Sequence, residues 1–493
     1  MKLRPGLIFF VVALVNTLFY VCLAAARTST GYPLDDAWIH QTYARNWAET
    51  GQLAYVVGLP SAGSTAPLWT LLLSVAYRLN IDPYLWSMIL GVICLAINAW
   101  LLSRLADRLL PNRSLVSWLV GLACVVEWHL VWAAASGMET LLFIALTLAL
   151  IDRVWARSSG WIIGVLGGLL ILTRPEGLLL FALALGVLWL QSGRGVLKGV
   201  LAFLMVLAPG AYFNLQAGGS IFPNTFYAKQ SEYGELMRTP AIWLTSIGNM
   251  LVAPLAGGLL LLIPGVIAWI VAQVSNLRGE MKSRPTLTRV FMLSFPLLWT
   301  CAHVGVYALR LPVSYQHGRY LLPIIPIILL YGIVGTALLS DWLKARSTTS
   351  LARVLRQVIV IAIVAVFVLF VLIGAAAFAT DVAIINGEMV AVAQWLDRST
   401  PPGALIAAHD IGAIGYFARR PILDLAGLIS PEVIPFIRDE AQLDEWMRAK
   451  GAQYLVTFPG WYPQLVASSD LTELFQGSSL FSPEHMTVYT FER

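Results

Sequence analysis

Apolar runs of about 20 residues recur along this chain, and no other feature restricts its fold so strongly. A helix of that length reaches across roughly 30 Å of hydrocarbon. In that medium a backbone segment must satisfy its own hydrogen bonds, which leaves helices or a closed barrel, and unbroken rather than alternating apolar runs select helices. Eleven candidate spans follow: about 6–26, 83–103, 114–135, 140–154, 160–173, 176–191, 196–213, 252–274, 290–309, 320–340 and 358–379. Charged residues make up 12% of the chain, about half the usual share, and the mean hydropathy is +0.75. The fold class is therefore a polytopic α-helical membrane protein. Cys22, Cys94, Cys124 and Cys301 all lie in apolar runs, so neither a disulfide framework nor a cysteine zinc site is indicated.

The first run follows Lys2 and Arg4 and is longer than a signal-peptide core of roughly 7–15 residues, so an uncleaved signal anchor is expected. Pro67–Leu79 is apolar too, but its 13 residues reach only about 20 Å. It reads as a juxtamembrane or re-entrant helix, with Ser64 or Thr65 as cap and Pro67 at its first position. With the N-terminus cytoplasmic, the loops 104–113, 152–159, 192–198, 275–289 and 341–357 fall inside and, with Lys2 and Arg4, hold 17 of the 32 basic residues. The outer connections hold eight: Arg27, Arg45, Arg78, Arg174, Lys229, Arg238, Arg310 and Arg319. Every inner loop obeys the positive-inside rule. The net charge of +5 is thereby a topology signal, and no nucleic-acid partner is expected.

From about Thr380 the composition turns mixed, and residues 381–493 read as a small α/β domain outside the membrane. Helices are expected at Gly387–Arg398 and Pro431–Lys450, and strands at Ala404–Ala408, Pro421–Leu425 and Gln453–Phe458. Residues 1–380 form the membrane part, with residues 27–82 as its first outer loop.

The polar motifs then fall on one side. Asp35 and Asp36 open an amphipathic helix on which Asp36, His40, Tyr43 and Trp47 share a face. Ser136–Thr140, Thr173–Gly177, Phe222–Lys229 and Tyr315–Tyr320 face the same way. Carboxylates able to take a proton stand there beside cations able to hold an anion, the combination that transfer from a phosphate-linked donor requires. Plainer roles exist for each. Asp35 and Asp36 suit an N-cap and a dipole partner, Arg45 and Glu49 an exposed i, i+4 pair, and Arg174 and Arg319 interfacial snorkelling. The positive-inside rule disfavours those two arginines outside, which favours a functional role. Glu127 and His129 lie within the third span, as a structural pair or a transport site, and His303 in the ninth reads as structural. No metal site is marked by spacing. Asp35 and Asp36 with an outer glutamate are the one set considered for a divalent cation, Mg or Mn.

Together these residues resemble the GT-C glycosyltransferases. The pattern comprises Asp35-Asp36-Ala-Trp-Ile-His, Tyr43-Ala-Arg45-Asn46, GlySerThrAlaProLeuTrp at 63–69, SerGlyMetGlu at 136–139, ArgProGluGly at 174–177, ProAsnThrPheTyrAlaLys at 223–229 and GlyArgTyrLeu at 318–321. Over about residues 6–340 it is most similar to the terminal arabinofuranosyltransferases of actinobacterial cell walls. More distantly it resembles protein O-mannosyltransferases and lipid A aminoarabinose transferases. The C-terminal segment looks smaller than the sugar-binding domains of the arabinosyl enzymes. The resemblance implies transfer of a sugar, with inversion, from a polyprenyl-phosphate donor to a glycan, lipid or protein acceptor outside the bacterial cytoplasmic membrane. It implies Asp35 as general base, Asp36 as its orienter or a sugar ligand, and Arg174, Lys229 and Arg319 at the lipid phosphate with His317 nearby. His40, Tyr43, Glu139, Glu176, Asn224, Tyr227 and Tyr320 are the further substrate-binding candidates. A transporter or flippase of a lipid-linked sugar is the alternative, resting on Glu127 and His129.

Overall fold

The computed structural model describes residues 5–233, 239–280, 284–346, 350–468 and 470–491. Lys2, Arg4, Arg238, Lys282 and Arg493 of the charge count lie outside the described residues. The apolar runs form helices, as their composition dictates. Helix α1 (Pro5–Arg27) leads into the first long polar connection, which holds α2 (Asp36–Thr50), a short antiparallel hairpin of β1 (Ala54–Val56) and β2 (Leu59–Pro60), and α3 (Pro67–Leu79). Gly51, in the left-handed conformation that glycine adopts without strain, ends α2. Helix α3 starts with Pro67 at its first turn, as expected, but Ala66 occupies the cap position and neither Ser64 nor Thr65 serves.

The bundle continues with α4 (Pro83–Leu109), α5 (Ser114–Val126), α6 (Trp128–Ala135), α7 (Thr140–Trp155), α8 (Gly160–Ile171), α9 (Gly177–Ser192) and α10 (Gly195–Gly218). After α11 (Asn224–Tyr233) come α12 (Pro240–Leu255), α13 (Ile263–Glu280), α14 (Arg284–Arg310), a single turn α15 (Tyr315–Gly318), α16 (Ile325–Arg346) and α17 (Ser350–Ile385). By length and composition six described helices are fit to cross a membrane, or eight when α5–α6 and α12–α13 each count as one bent span. Helices α8 and α9 are apolar but shorter. The eleven expected spans are therefore not recovered helix for helix. The expected span 252–274 straddles a 104° break between α12 and α13, where Pro254 and Gly257 (φ 103°) interrupt the helix. The third expected span bends by 51° at Glu127.

Charge separates along the bundle. Helix α4 begins beside the first loop, where Gln41 and Ser87 hydrogen-bond the Tyr32 hydroxyl at 2.8 Å. About 25–30 Å further along the same helix, Arg104 and Arg108 converge on Asp152 at 2.9 and 3.0 Å, joined by Arg153. Helix α13 meets α16 backbone to backbone: a Cβ on Gly335 would lie 1.8 Å from the Gly265 carbonyl oxygen. Such contacts between small residues are how helices associate where no water drives them together.

Helix α17 runs on through a π-turn (Asn386–Val390) into α18 (Ala391–Ser399), so the expected domain boundary near 380 falls inside a helix. The C-terminal region adds α19 (Glu440–Lys450), α20 (Pro463–Val466) and a five-stranded sheet in the order β4-β3-β5-β7-β6. The strands are β3 (Ile406–Ala408), β4 (Ile422–Asp424), β5 (Tyr454–Thr457), β6 (Leu471–Gln476) and β7 (Thr487–Phe491). Strand β3 runs parallel to β4 and β5, with Ile406 opposite Ile422 and Tyr454, and β7 is antiparallel to β5 and β6. The three expected strands are present, and β6 and β7 are additional. The expected helix at 431–450 is split by Asp439, which caps α19 through the Gln442 N–H. Side chains alternate across the sheet as its period of two requires. Ala407, Leu423, Leu455 and Tyr489 pack on Leu443 and Met447, while Ile406, Ala408, Val456 and Val488 face the other way. That second face shares its core with Ile39 and Tyr43 of α2 and Tyr55 of β1. The C-terminal region is thus packed directly onto the segment that carries the acidic pair.

Candidate active site

Asp35 sits at the cap position of α2 but makes no capping hydrogen bond. Its carboxylate instead accepts the N–H groups of Gly412 at 2.7 Å and Ala413 at 2.8 Å, from the loop after β3. The approach demands glycine, because a Cβ on Gly412 would lie 2.1 Å from the Asp35 carbonyl oxygen. Capping, the plain explanation of Asp35, is therefore replaced by a tertiary contact. Asp36, one residue on, points to Arg319, whose Nη1 lies 2.5 Å from its Oδ2. Arg319 is delivered by a turn in which Gln316, His317 and Gly318 all have positive φ, and its Nη2 donates to the Tyr320 hydroxyl at 2.9 Å.

A second ionic group lies alongside. Glu139 pairs with His40 Nε2 at 3.2 Å and with Arg174 Nε at 2.7 Å. Arg174 Nη1 lies 3.5 Å from Glu176, which also accepts the Tyr307 hydroxyl. Lys229 stands 3.4 Å from Glu232.

These groups line one cavity of about 620 Å³. Asp35, Asp36, His40, Glu139, Arg174, Glu176, Lys229, Arg319 and Tyr320, all expected at the site, are on its wall. One flank is apolar, formed by Leu178, Leu179 and Ala182 of α9, Val306 of α14, and Leu311. Four expected residues are elsewhere. Tyr43 is buried with its hydroxyl 2.7 Å from Ser61, because the far side of α2 faces the hairpin. Asn224 is a brace: its N–H donates to the Ala62 carbonyl at 2.9 Å and its side chain to Leu428 at 3.2 Å. Tyr227 points away from the cavity and is exposed. His317 lies 2.8 Å from Asp381 and packs against Trp128 and Trp132 behind the turn it belongs to.

Three cavity residues have no counterpart among the sequence expectations. Arg310 faces Gln230 at 3.5 Å and the Phe226 ring, with no carboxylate partner among the described residues. Its position at the end of an apolar helix was the available signal. His409 and Asp410 come from the C-terminal region, and nothing in the local sequence marks them. His303, read as structural, donates from Nε2 to the Tyr320 carbonyl (3.1 Å) and also reaches the cavity wall. Arg45 is not an exposed partner of Glu49: it is buried, with Nη1 donating to the Tyr416 carbonyl at 2.8 Å. Glu127 and His129 do form a closed pair, 2.7 Å apart, with His129 Nε2 at the Ala253 carbonyl (3.0 Å) and the Leu130 N–H on Glu127 (3.0 Å).

Environment splits the acids. Burial pushes the Asp35 carboxyl up to about 7 against its two N–H donors, with the Asp36 charge adding to the rise. Burial acts on Asp36 too, but Arg319, Lys229 and His40 outweigh it and hold that carboxyl below its ordinary range. One acid therefore titrates near neutrality while its neighbour stays charged, the division of labour that acid–base chemistry uses. Of the set considered for a divalent cation, Asp35 is engaged by backbone, Asp36 by Arg319 and Glu139 by His40 and Arg174. Among the described residues no three His, Cys, Asp or Glu side chains gather as a ligand set.

A polytopic helical bundle covered by a small α/β region is the fold of the solved GT-C glycosyltransferases, and this chain shares it. The solved structure of ArnT from Cupriavidus metallidurans bound to undecaprenyl phosphate is similar over 98% of this chain and 97% of that one, with TM-score 0.59 and 14% identity. The archaeal oligosaccharyltransferase AglB from Archaeoglobus fulgidus, in complex with an inhibitory peptide and a dolichol-phosphate, matches 98% of this chain and 74% of its own (TM-score 0.60, 11% identity). The arabinofuranosyltransferase AftD from Mycobacteria matches 98% of this chain and 41% of its own, with TM-score 0.46 and 16% identity. Residues 376–489 match a family described as a domain of unknown function, DUF8728. No curated protein matches the chain.

Proposed function

We propose that this protein transfers a sugar, with inversion, from a polyprenyl-phosphate donor to a glycan, lipid or protein acceptor at the outer face of the bacterial cytoplasmic membrane. The observation that carries this reading is the shape of the cavity. An apolar flank on α9 and α14 leads to a polar end where cations and the Asp35–Asp36 pair stand side by side. A lipid phosphate has that same division: the tail needs apolar helix surface, and the head needs Lys229, Arg310 and Arg319. The lipid phosphates carried by ArnT and AglB support the same donor chemistry.

In the reaction Asp35, ionised, takes the proton of the acceptor hydroxyl. The freed oxygen forms a bond to the anomeric carbon from the face opposite the phosphate. The bond from that carbon to the phosphate oxygen breaks, and its electron pair leaves with the polyprenyl phosphate. The cations stabilise the charge that grows on the leaving phosphate. Asp36 fixes Arg319 at that place, and Arg174 organises Glu139 and His40 beneath the sugar.

The test is donor turnover in detergent, with radiolabelled undecaprenyl-phosphate sugars and crude envelope acceptor. Wild type releases sugar from one donor, and Asp35→Ala slows release by about 10²- to 10⁴-fold. Asp36→Ala weakens it as well, by leaving Arg319 unpaired. Turnover that survives both substitutions overturns the mechanism. Chelation followed by addition of Mg or Mn in the same assay reads whether a divalent ion takes part. The alternative, a transporter or flippase of a lipid-linked sugar, rests on Glu127 and His129, which hydrogen-bond each other within the bundle. If wild type consumes no donor, lipid-flip assays in vesicles decide for that alternative.

A further inference from the structure

The cavity wall has two chemically different halves. The membrane helices and their outer loops contribute Arg174, Lys229, Arg310 and Arg319. The C-terminal region contributes His409, Asp410, Ile411, Ala426 and Leu428, and no cation. Burial holds the His409 imidazole down at about 4, so it is neutral at physiological pH, and Asp410 is the ionisable acid of that half.

The loop that carries Asp410 is fixed on every side. Gly412 and Ala413 donate to Asp35, the Ile411 carbonyl accepts the Tyr55 hydroxyl, and His409 Nδ1 lies 2.7 Å from the Tyr462 hydroxyl. Asp410, in the middle, has no hydrogen-bond or ion-pair partner among the described residues, and it faces the cavity. A carboxylate held rigidly and left without a partner is a group whose partner arrives with the substrate. That partner is not the donor phosphate, because a carboxylate takes hydrogen-bond donors and the cations assigned to the phosphate belong to the other half of the wall.

We propose, resting on the glycosyltransferase reading, that Asp410 is an acceptor-binding residue. It accepts a hydrogen bond from a hydroxyl beside the reacting one on a neutral, hydroxyl-rich glycan, and it rejects acceptors that place a carboxylate or phosphate there. The electrostatics agree. Burial, then the charges of Asp35 and Asp36, push the Asp410 carboxyl above its ordinary range against Lys229 and Arg319, so a hydrogen bond donated to it favours its charged form and a further anion beside it does not. The C-terminal region is then the half of the active site that chooses the acceptor.

The experiment compares wild type, Asp410→Asn and Asp410→Glu in detergent with the radiolabelled undecaprenyl-phosphate sugar that wild type consumes. Two acceptors are used: dephosphorylated envelope glycan, and the same glycan with its primary alcohols oxidised to carboxylates. Undecaprenyl phosphate binding is followed by thermal shift. Asp410→Asn is expected to bind undecaprenyl phosphate as wild type does and to keep the donor KM. Its KM for the neutral glycan rises about 10- to 100-fold, the loss of one hydrogen bond to a charged group. Its preference for neutral over oxidised glycan narrows, and Asp410→Glu restores that preference. Unchanged acceptor KM and preference in Asp410→Asn overturn this proposal and leave the glycosyltransferase reading standing. Loss of undecaprenyl phosphate binding in Asp410→Asn makes the residue structural and also overturns it. If wild type consumes no donor, both readings fall together.

Discussion

Asp35 and Asp36 carry the same side chain one residue apart, yet their surroundings shift the two carboxyls in opposite directions. Asp36 has a guanidinium 2.5 Å away and is locked in its charged form. Asp35 has only two backbone N–H groups against the cost of burial and the charge beside it, which brings its carboxyl to about 7. A base must be ionised to accept a proton, and a raised carboxyl is protonated below its midpoint. Turnover is therefore expected to rise with pH through a midpoint near 7 and to fall about tenfold per pH unit on the acid side. A pH–rate profile of kcat/KM checks this. A profile that stays flat down to pH 5 assigns the base elsewhere.

At the scale of elements, the site depends on how the loop from Asp410 to Ala413 seats on the start of α2. Gly412→Ala places a methyl where a Cβ meets Asp35 atoms at 2.1 and 2.6 Å, so the loop lifts and both N–H bonds to the carboxylate are lost. Hydrogen exchange in residues 409–418 is expected to quicken, and turnover to drop, while exchange in α4 is unchanged. Each bond to the charged group contributes about 1.5–3 kcal/mol. Wild-type exchange in that variant would show that the loop is held by something else.

The membrane half of this arrangement was legible in the sequence, because a cation or acid at the end of an apolar run that the charge bias reads as outer has few other reasons to be there. That logic found Arg174, Lys229 and Arg319, and it applied equally to Arg310. It did not find Asp410, since a lone acid after a three-residue strand carries no period and its neighbour Asp35 is brought to it only by tertiary packing. The break between α12 and α13 was hidden for a related reason. Hydropathy averages across a bend, and only Pro254 with Gly257 hinted at it. Strands β6 and β7 sit partly in polar sequence and are stabilised by pairing with each other and with β5, which local composition does not record.

For the whole molecule, the bundle is held together in part by glycines that let backbones touch. Gly335→Leu is expected to force α13 from α16, because even a Cβ there would lie 1.8 Å from a carbonyl oxygen. Overpacking of this kind costs roughly 1–3 kcal/mol or more. A lowered unfolding temperature in detergent, with early elution on gel filtration, checks it, and an unchanged unfolding temperature would mean that the helices slide apart freely. The same global view bears on biosynthesis. The two ends of the Asp35 carboxylate contact lie 377 and 378 positions apart in the chain. A nascent polypeptide whose membrane helices are already in place still has an Asp35 without its backbone donors and a cavity lacking one wall. Closing the cavity over Asp35 therefore waits for residues 409–413, which leave the ribosome long after the helix they complete.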